Sequence, residues 1–442
     1  MKTSKIWIVG VSSVAALGGL LFGFDTAVIS GAIPALTAYF ALNGYLLGWA
    51  IGAVLIGCAI GAMFAGRLAD RWGRRWMLLV CAVLFAGSGI GAGFSHSLAA
   101  FILFRLAGGL GVGAAAMVSP MYIAEIAPPV WRGRLVSLYQ LAIVLGILGA
   151  YLSNYALSGL GEDSWRWMFA SQAAPSVLFG ILLYFVPETP RWLAAKDRKA
   201  EALAVLVQMN GPIQATLQMR QIEQSFTGTG RMKTSEVWAG TYRPVLITGI
   251  LLAVFQQVTG INAIIYYAPV IFSQTRHSAS PLLQTIVIGV VNVLATCVAI
   301  GLVDKWGRRR LLVTGTAVMG ITLVAVGVCF HLGYFDHYLI LLCMLLYVAA
   351  FGCTLGAVTW VYLSEIFPNR IRAAALSIAT LALWLADFAV TYTFPVLNGK
   401  LGISQTMYIY AIFCALAFVY MFFNVPETKG RSLEDAGALF VK

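Results

Sequence analysis

The chain has 442 residues, of which 60% are hydrophobic and only 10% charged, with a mean hydropathy of +0.86. So few polar groups cannot cover the surface of a water-soluble domain of this length, which excludes a soluble globular protein. The formal net charge of +12 would suit a nucleic-acid partner, but the basic residues sit in short segments between apolar stretches and form no binding patch.

Twelve apolar stretches, each about one bilayer core in length, follow in chain order. They lie near 8–33, 44–65, 76–94, 98–122, 135–159, 167–187, 244–272, 282–303, 311–331, 338–363, 373–396 and 405–425. They predict an all-α integral membrane protein. The first stretch has no small-residue cleavage site followed by a soluble segment and reads as a retained helix. With a cytoplasmic N-terminus, 25 of the 29 Lys and Arg fall on the inner side, Arg166, Arg276 and Lys400 fall outside, and Arg105 lies within a helix. That asymmetry is the positive-inside pattern, and it places both termini in the cytoplasm. The basic balance is topology.

The seven cysteines lie in apolar segments without a CxxC pair, and the four histidines lie at stretch ends or in loops. No metal, cofactor, phosphate loop or nucleotide-binding domain is expected, so uphill work would draw on an ion gradient.

The first stretch contains "GGLLFGFDTAVIS", with Asp25 inside a run otherwise free of charge from Ile6 to Gly66. Asp25 lies about 26 Å above an inner start near Ile8, and Arg105 lies about 10 Å below an outer start near Leu98. Both fall in the outer half of the core, and Arg105 is the one base inside a predicted span. It is the natural counter-ion. A structural pair that merely neutralises two charges competes with a proton switch, in which Asp25 is ionised beside Arg105 and takes a proton when the helices separate.

Further along, the sequence repeats. "DRWGRR" from Asp70 returns as "DKWGRR" from Asp304, "PMYIAEIAPPVWRGRLVSL" is echoed by "WVYLSEIFPNRIRAAALSI", and "VPETPRWL" by "VPETKGRSL". Asp70 to Asp304, Glu125 to Glu365 and Pro187 to Pro426 are displaced by 234, 240 and 239 residues, which marks a duplicated unit of about six helices. The organisation expected is a bundle over 1–187, a polar cytoplasmic linker with amphipathic helices over 188–243, and a second bundle with a short tail over 244–442. Two pseudo-symmetric six-helix bundles are the major facilitator plan, with substrate near the midplane between them. The echoes place Asp70, Arg74, Glu125 and Arg132 in one half, and Asp304, Arg308, Glu365 and Arg372 in the other, at inner helix ends. They read as inner-gate ion pairs, with Glu125 facing Arg132 and Glu365 facing Arg372; simple anchoring of the Arg residues to lipid headgroups is the alternative.

Uncharged amides buried in apolar helices suit a hydroxyl-rich, neutral substrate, since each amide both donates and accepts. Gln256, Gln257 and Asn262 in "FQQVTGINAIIYY" lie on adjacent faces around Gly260, and Gln140 and Asn292 are further amides in apolar stretches. A single buried amide is more often glue between helices.

"GRLADRWGRR", "PMYIAEIAPPVWRGR", "VPETPRWL", "QQVTGINAIIYYAP" and "VPETKGRSLED" together resemble the sugar porter family of major facilitators, in order and over nearly the whole chain. Within that family the chain is most similar to bacterial proton-coupled monosaccharide symporters. The resemblance implies alternating access in a bacterial plasma membrane, with a monosaccharide and protons as substrates, lipid around it, no cofactor, and a functional monomer. It implies that Gln140, Gln256, Gln257, Asn262 and Asn292 bind sugar hydroxyls, and Trp360 through its indole. Phe22, Tyr266, Tyr267, Gly356 and Trp384 match residues lining the site or its outer gate. Proton symporters of the family carry Asp at the position of Asp25, and passive relatives carry Asn. Three positions depart from the pattern. Ile147 favours a hexose-like pocket, Leu383 removes an amide from the eleventh stretch, and Ala357 replaces a proline after Gly356.

A facilitative uniporter of the same fold and a non-transporting sugar sensor are the rival functions; the short tail after Phe423 disfavours the sensor. A membrane-bound glycosyltransferase would need a catalytic carboxylate or metal cluster at an interface, which the sequence does not offer. Asp387 in "LWLADFAVTY" is left over, about 21 Å along its stretch. Without a basic partner in the C-terminal stretches it either carries a proton or faces an aqueous cavity.

Overall fold

The computed structural model describes residues 2–128, 131–226, 242–275, 280–333, 337–368 and 371–429. Arg276 and the side chain of Asp304 lie outside the described residues. Among those described there are helices and no strands.

The first six crossings are α1 (Lys2–Tyr39), α2 (Gly44–Trp72), α3 (Arg74–Gly93), α4 (Leu98–Ile126), α5 (Arg132–Leu157), and the broken pair α6 (Ser164–Ala170) and α7 (Ala173–Tyr184). Three short helices follow: α8 (Pro190–Ala195), α9 (Lys199–Asn210) and α10 (Pro212–Phe226). The second six crossings begin with α11 (Arg243–Val258) and α12 (Ile261–Ser273), then α13 (Pro281–Trp306) and α14 (Arg308–His331). They end with α15 (His337–Phe351), a π-helical turn (Gly352–Gly356), α16 (Ala357–Ile366), α17 (Arg372–Leu401) and α18 (Ile403–Asn424). Twelve of these spans are long and apolar enough to cross a bilayer. Their outward faces carry bare large apolar side chains such as Val83, Ile321 and Phe423, which water would not tolerate in such number and lipid does.

Three crossings are irregular, and each break has a local cause. Pro175 has no N–H to offer the Ser171 carbonyl four residues back, and the sixth crossing breaks at Ser171–Gln172. The seventh breaks at Gly260, whose φ of 96° is a conformation that glycine tolerates and side chains resist. The Thr259 carbonyl freed there accepts from the Tyr347 hydroxyl at 2.9 Å. Gln256 and Asn262 therefore sit on two different helices, not on adjacent faces of one. The tenth crossing contains the π turn immediately before Ala357. The irregularity that a proline would impose is thus present without one.

The halves touch along the face opposite the linker helices. There α1 packs on α12, α2 on α17 and α5 on α13. Phe22 meets Trp384 and Trp49 meets Phe388, both at 5.6 Å between ring centroids, and Tyr151 Oη donates to Ile265 O at 2.9 Å. At the linker end, α4, α11 and α16 pack mainly within their own halves. The helix pairs that join the halves thus lie at the face away from the linker.

Gly260→Ala should lower stability by about 1–3 kcal/mol from backbone strain. A Cβ at that position also meets the Tyr410 ring at 2.8 Å. Thermal unfolding in detergent measures the change; an unaltered midpoint would mean that the break does not depend on glycine.

Candidate functional site

Asp25 and Arg105 meet as the sequence requires. Arg105 Nη1 donates to Asp25 Oδ1 at 2.9 Å and lies 3.4 Å from the Asp25 carbonyl, with both side chains buried. Arg105 also lies over the Phe169 ring, at 5.6 Å from its centroid. The pair is held by one oxygen and one nitrogen. Asp25 Oδ2, Arg105 Nε and Arg105 Nη2 are buried without a hydrogen-bond partner, as is the neighbouring Ser88 Oγ. A carboxylate satisfied through only one oxygen retains a free acceptor for a proton.

Across the interface, four helical segments supply a chain of amides. Gln256 Nε2 donates to Leu355 O in the π turn at 2.9 Å, and Asn262 Nδ2 donates to Gln257 Oε1 at 2.9 Å. Gln257 Nε2 approaches Gln256 Oε1 at 3.5 Å. The chain ends on α17, where the Asn262 amide borders Asp387 and Thr391 Oγ1 donates to Asp387 Oδ1 at 3.2 Å. Asp387 is only 2% exposed, so it does not face an open cavity here.

The other candidates are placed less uniformly. Tyr267 Oη donates to Thr391 O at 3.0 Å and its ring stacks on Phe394 at 4.5 Å. Tyr266 is buried with an unpartnered hydroxyl, and Trp384 with an unpartnered indole N–H beside Phe22. Asn292 packs beside Gly352 in the π turn that Gly356 ends. Gln140 and Ile147 are seven residues apart and share a face of α5, Ile147 packing against α1 at Gly23. Gln140 lies outside the amide chain. So does Trp360, which stands 38% exposed on α16.

The charged motifs form two copies of one network at the linker face. In the first half, Arg74 Nη2 reaches Glu125 Oε1 and Asp70 Oδ1, both at 3.1 Å. Thr189 Oγ1 donates to Glu125 Oε2 at 2.5 Å, and Tyr122 Oη to Pro187 O at 2.7 Å. In the second half, Arg308 Nη2 reaches Glu365 Oε1 at 2.8 Å, Thr428 Oγ1 donates to Glu365 Oε2 at 2.6 Å, and Tyr362 Oη to Pro426 O at 3.0 Å. Glu188 and Glu427 accept from the backbone N–H groups that open α3 and α14, where a helix N-terminus favours an anion. Gly73 and Gly307, with φ of 102° and 88°, make the turns that aim those N–H groups. Burial pushes the Glu188 carboxyl above its ordinary value, against the pull of the N–H groups and of Arg74.

The pairing thus differs from the expected one. Glu125 takes Arg74 rather than Arg132, and Glu365 takes Arg308 rather than Arg372. Arg132 stands exposed at the start of α5, and Arg372 Nε donates to Phe367 O at 3.0 Å, closing its own turn. The reason is geometric: the glycine turn folds Arg74 and Arg308 back over the ends of α4 and α16. Each of these contacts lies within one half.

Two buried amides escaped the sequence reading, although both carry the signal that selected Gln140 and Asn292. Asn154 Nδ2 donates to Val28 O at 3.0 Å and ties α5 to α1. Gln172, at the break between α6 and α7, is fully buried with both amide atoms unpartnered. Among the described residues, no group of three or more His, Cys, Asp or Glu is arranged to hold a metal ion. The seven cysteines are free, and Cys297 is exposed on α13 rather than buried.

Residues 11–440 match the family described as "Sugar (and other) transporter". The chain is 40% identical to the arabinose-proton symporter of Bacillus subtilis (strain 168), over 99% of this chain and 96% of that protein. It is also 40% identical to the D-xylose-proton symporter of Escherichia coli (strain K12), over 98% and 96%. Among solved structures, the inward open conformation of the xylose transporter XylE from E. coli superposes with a TM-score of 0.88 at 40% identity, covering 98% of this chain and all of that one. The same proton:xylose symporter bound to 6-bromo-6-deoxy-D-glucose superposes at 0.81 with 39% identity, over 99% of this chain and all of that one. With two duplicated six-helix bundles, a buried acid–base pair in one and a chain of amides in the other, the chain belongs to the sugar porters of the major facilitator superfamily.

Proposed function

We propose that this multi-pass membrane protein imports a monosaccharide by proton symport through alternating access. The observation that carries the reading is the buried, half-satisfied pair of Asp25 and Arg105. A pair kept only for stability is commonly no better than apolar packing, so an ion pair in a bilayer core calls for a use. The proton is that use. Facing outward, Asp25 accepts a proton and releases Arg105; facing inward, it loses the proton and Arg105 recaptures it. The described state, with the pair closed and a TM-score of 0.88 to an inward open relative, fits the end of an import cycle.

Sugar binds between the halves, chiefly on Gln256, Gln257, Asn262 and Asn292, with Gln140 and Ile147 opposite and Phe22, Tyr266, Tyr267, Gly356, Trp360 and Trp384 around it. Neutral amides match hydroxyls and give no advantage to an anion. The substrate class is a hexose or pentose, as in the arabinose, xylose and galactose symporters and the glucose transport protein among the relatives. The two networks at the linker face serve as latches. Asp70, Arg74, Glu125 and Arg132 engage Asp304, Arg308, Glu365 and Arg372 across the halves when the protein faces outward. The linker face is cytoplasmic by the charge asymmetry, the membrane is the bacterial plasma membrane, and one chain contains the whole site and works as a monomer.

Proteoliposome uptake under an imposed pH gradient tests the coupling. Wild-type protein should accumulate sugar, and a protonophore should abolish the accumulation. Asp25→Asn should lose accumulation while retaining sugar exchange; a mutant that still concentrates sugar would refute the role given to Asp25, and a wild type indifferent to the protonophore would make this a uniporter. Arg105→Ala strands a buried carboxylate and should cost about 3–5 kcal/mol of stability, read as a fall in the unfolding midpoint. Gln256→Ala and Asn262→Ala should each weaken sugar binding by about 1–3 kcal/mol in calorimetry, because a hydroxyl loses its partner. Unchanged affinity in both would move the sugar site elsewhere.

A further inference from the structure

Asp387 is the one ionisable group in the amide chain, and the coupling scheme does not use it. It is 2% exposed on α17. Its partners are the Thr391 hydroxyl, at 3.2 Å from Oδ1, and the neighbouring Asn262 amide. Both are neutral. The elements packed on α17 include α2, α11, α12, α16 and α18. From α2, Cys58 lies within electrostatic reach of the carboxyl group, and from α12 Tyr266 does. Tyr267 on α12 holds the Thr391 carbonyl, and Tyr410 on α18 stacks on Phe394 farther along α17, at 6.4 Å. From α11 come the neutral Gln256 and Gln257, and from the π turn beside α16 the Leu355 carbonyl. None of these groups is cationic, and Arg105 is committed to Asp25 on the other half.

An ionised carboxylate in such a place is costly, and a protonated one is not. We propose that Asp387 is a second proton-binding site of this transporter, and that its proton sets sugar affinity through Asn262 rather than driving accumulation. The inference rests on the reading of Gln256, Gln257 and Asn262 as the sugar-binding amides.

The hydrogen-bond directions supply the mechanism. A protonated Asp387 accepts from the Thr391 hydroxyl and only weakly from the Asn262 amide beside it. Asn262 Nδ2 is then free to donate to Gln257, as it does at 2.9 Å, and the sequence of donors runs on to Leu355. An ionised Asp387 only accepts. It draws the Asn262 N–H groups toward itself, competes with Gln257, and disturbs the amides that sugar hydroxyls need. Sugar also excludes water from the site, which penalises the ionised form further. Protonation of Asp387 therefore favours sugar binding, and sugar binding favours protonation. The sign follows: affinity falls as pH rises through the range in which Asp387 loses its proton.

The test is sugar affinity by calorimetry between about pH 5.5 and 8.5, in Asp25→Asn protein so that the coupling acid is silent. Kd should rise with pH, by at most about tenfold per pH unit for a single linked proton. Adding Asp387→Asn, which keeps the shape and removes the titration, should flatten the profile; Asp387→Ser provides a second route to the same comparison. A profile already flat in Asp25→Asn, or one equally steep after either change at Asp387, overturns the proposal. Proton uptake on binding, measured from buffers of different ionisation enthalpy, should fall toward zero in the double variants, and uptake that persists would overturn it too. Asn262→Ala separates the two readings: if it leaves affinity intact, the amide site itself is misplaced, whereas weakened binding with an unaltered pH profile defeats only the role of Asp387.

Discussion

A charge in the middle of a bilayer needs a partner or a proton, and the arrangement of this protein follows from that constraint. Asp25 is a short side chain and cannot search for its counter-ion. The helices that carry it and Arg105 must lie close, at one relative depth. The long α1 packs along α5 and α4, while α4 packs closely on α2 and α3. These five crossings thus fix a single register for the pair. The pair in turn fixes which relative positions of α1 and α4 are affordable while Asp25 is ionised. A shift that opens the pair is tolerable only once a proton has replaced the arginine. On the proposed function, one buried interaction thereby links a chemical gradient to a mechanical change.

The same logic explains why the duplicated charges gather at one face. Glu125, Thr189 and Arg74 in one half, and Glu365, Thr428 and Arg308 in the other, close the ends of their bundles with bonds of 2.5–3.1 Å. On the proposed function, bundles bound internally in this way would move as units, leaving the conformational change to the interface between them. At the opposite face that interface is built of rings and backbone, such as Phe22 on Trp384 and Tyr151 on the Ile265 carbonyl. Such contacts separate without stranding a charge.

Much of this was legible before any coordinates. Hydropathy located all twelve crossings because a bilayer imposes a length and forbids unsatisfied backbone. The pairing of Asp25 with Arg105 was legible because the apolar stretches offer one base at the right depth. Glu125 and Glu365 form ion pairs, but with Arg74 and Arg308 rather than with Arg132 and Arg372. Arg132 and Arg372 are nearer in sequence, and only the positive-φ turns at Gly73 and Gly307 bring Arg74 and Arg308 over the helix ends. The break at Gly260 and the π turn before Ala357 were invisible to periodicity, since a run of apolar residues reads the same whether or not its helix is continuous. Asn154 and Gln172 were overlooked for lack of a motif around them, although burying an amide is as demanding there as at Asn292.

The two halves, alike in fold, divide the chemistry unequally. The N-terminal half holds the ion pair, whose state a proton changes sharply. The C-terminal half holds amides, which on the proposed function meet a neutral sugar through hydrogen bonds, with Asp387 the one ionisable group among them. α12 joins the two. It packs on α1, carries Asn262 and Tyr266, and begins at the break that lets it move independently of α11. Tyr266 lies within electrostatic reach of both Asp25 and Asp387. On the proposed function, a displacement of α1 would press first on the segment that carries Asn262. On the proposed function, coupling then requires no long-range pathway, because the helix that carries Asp25 packs directly on the helix that carries Asn262.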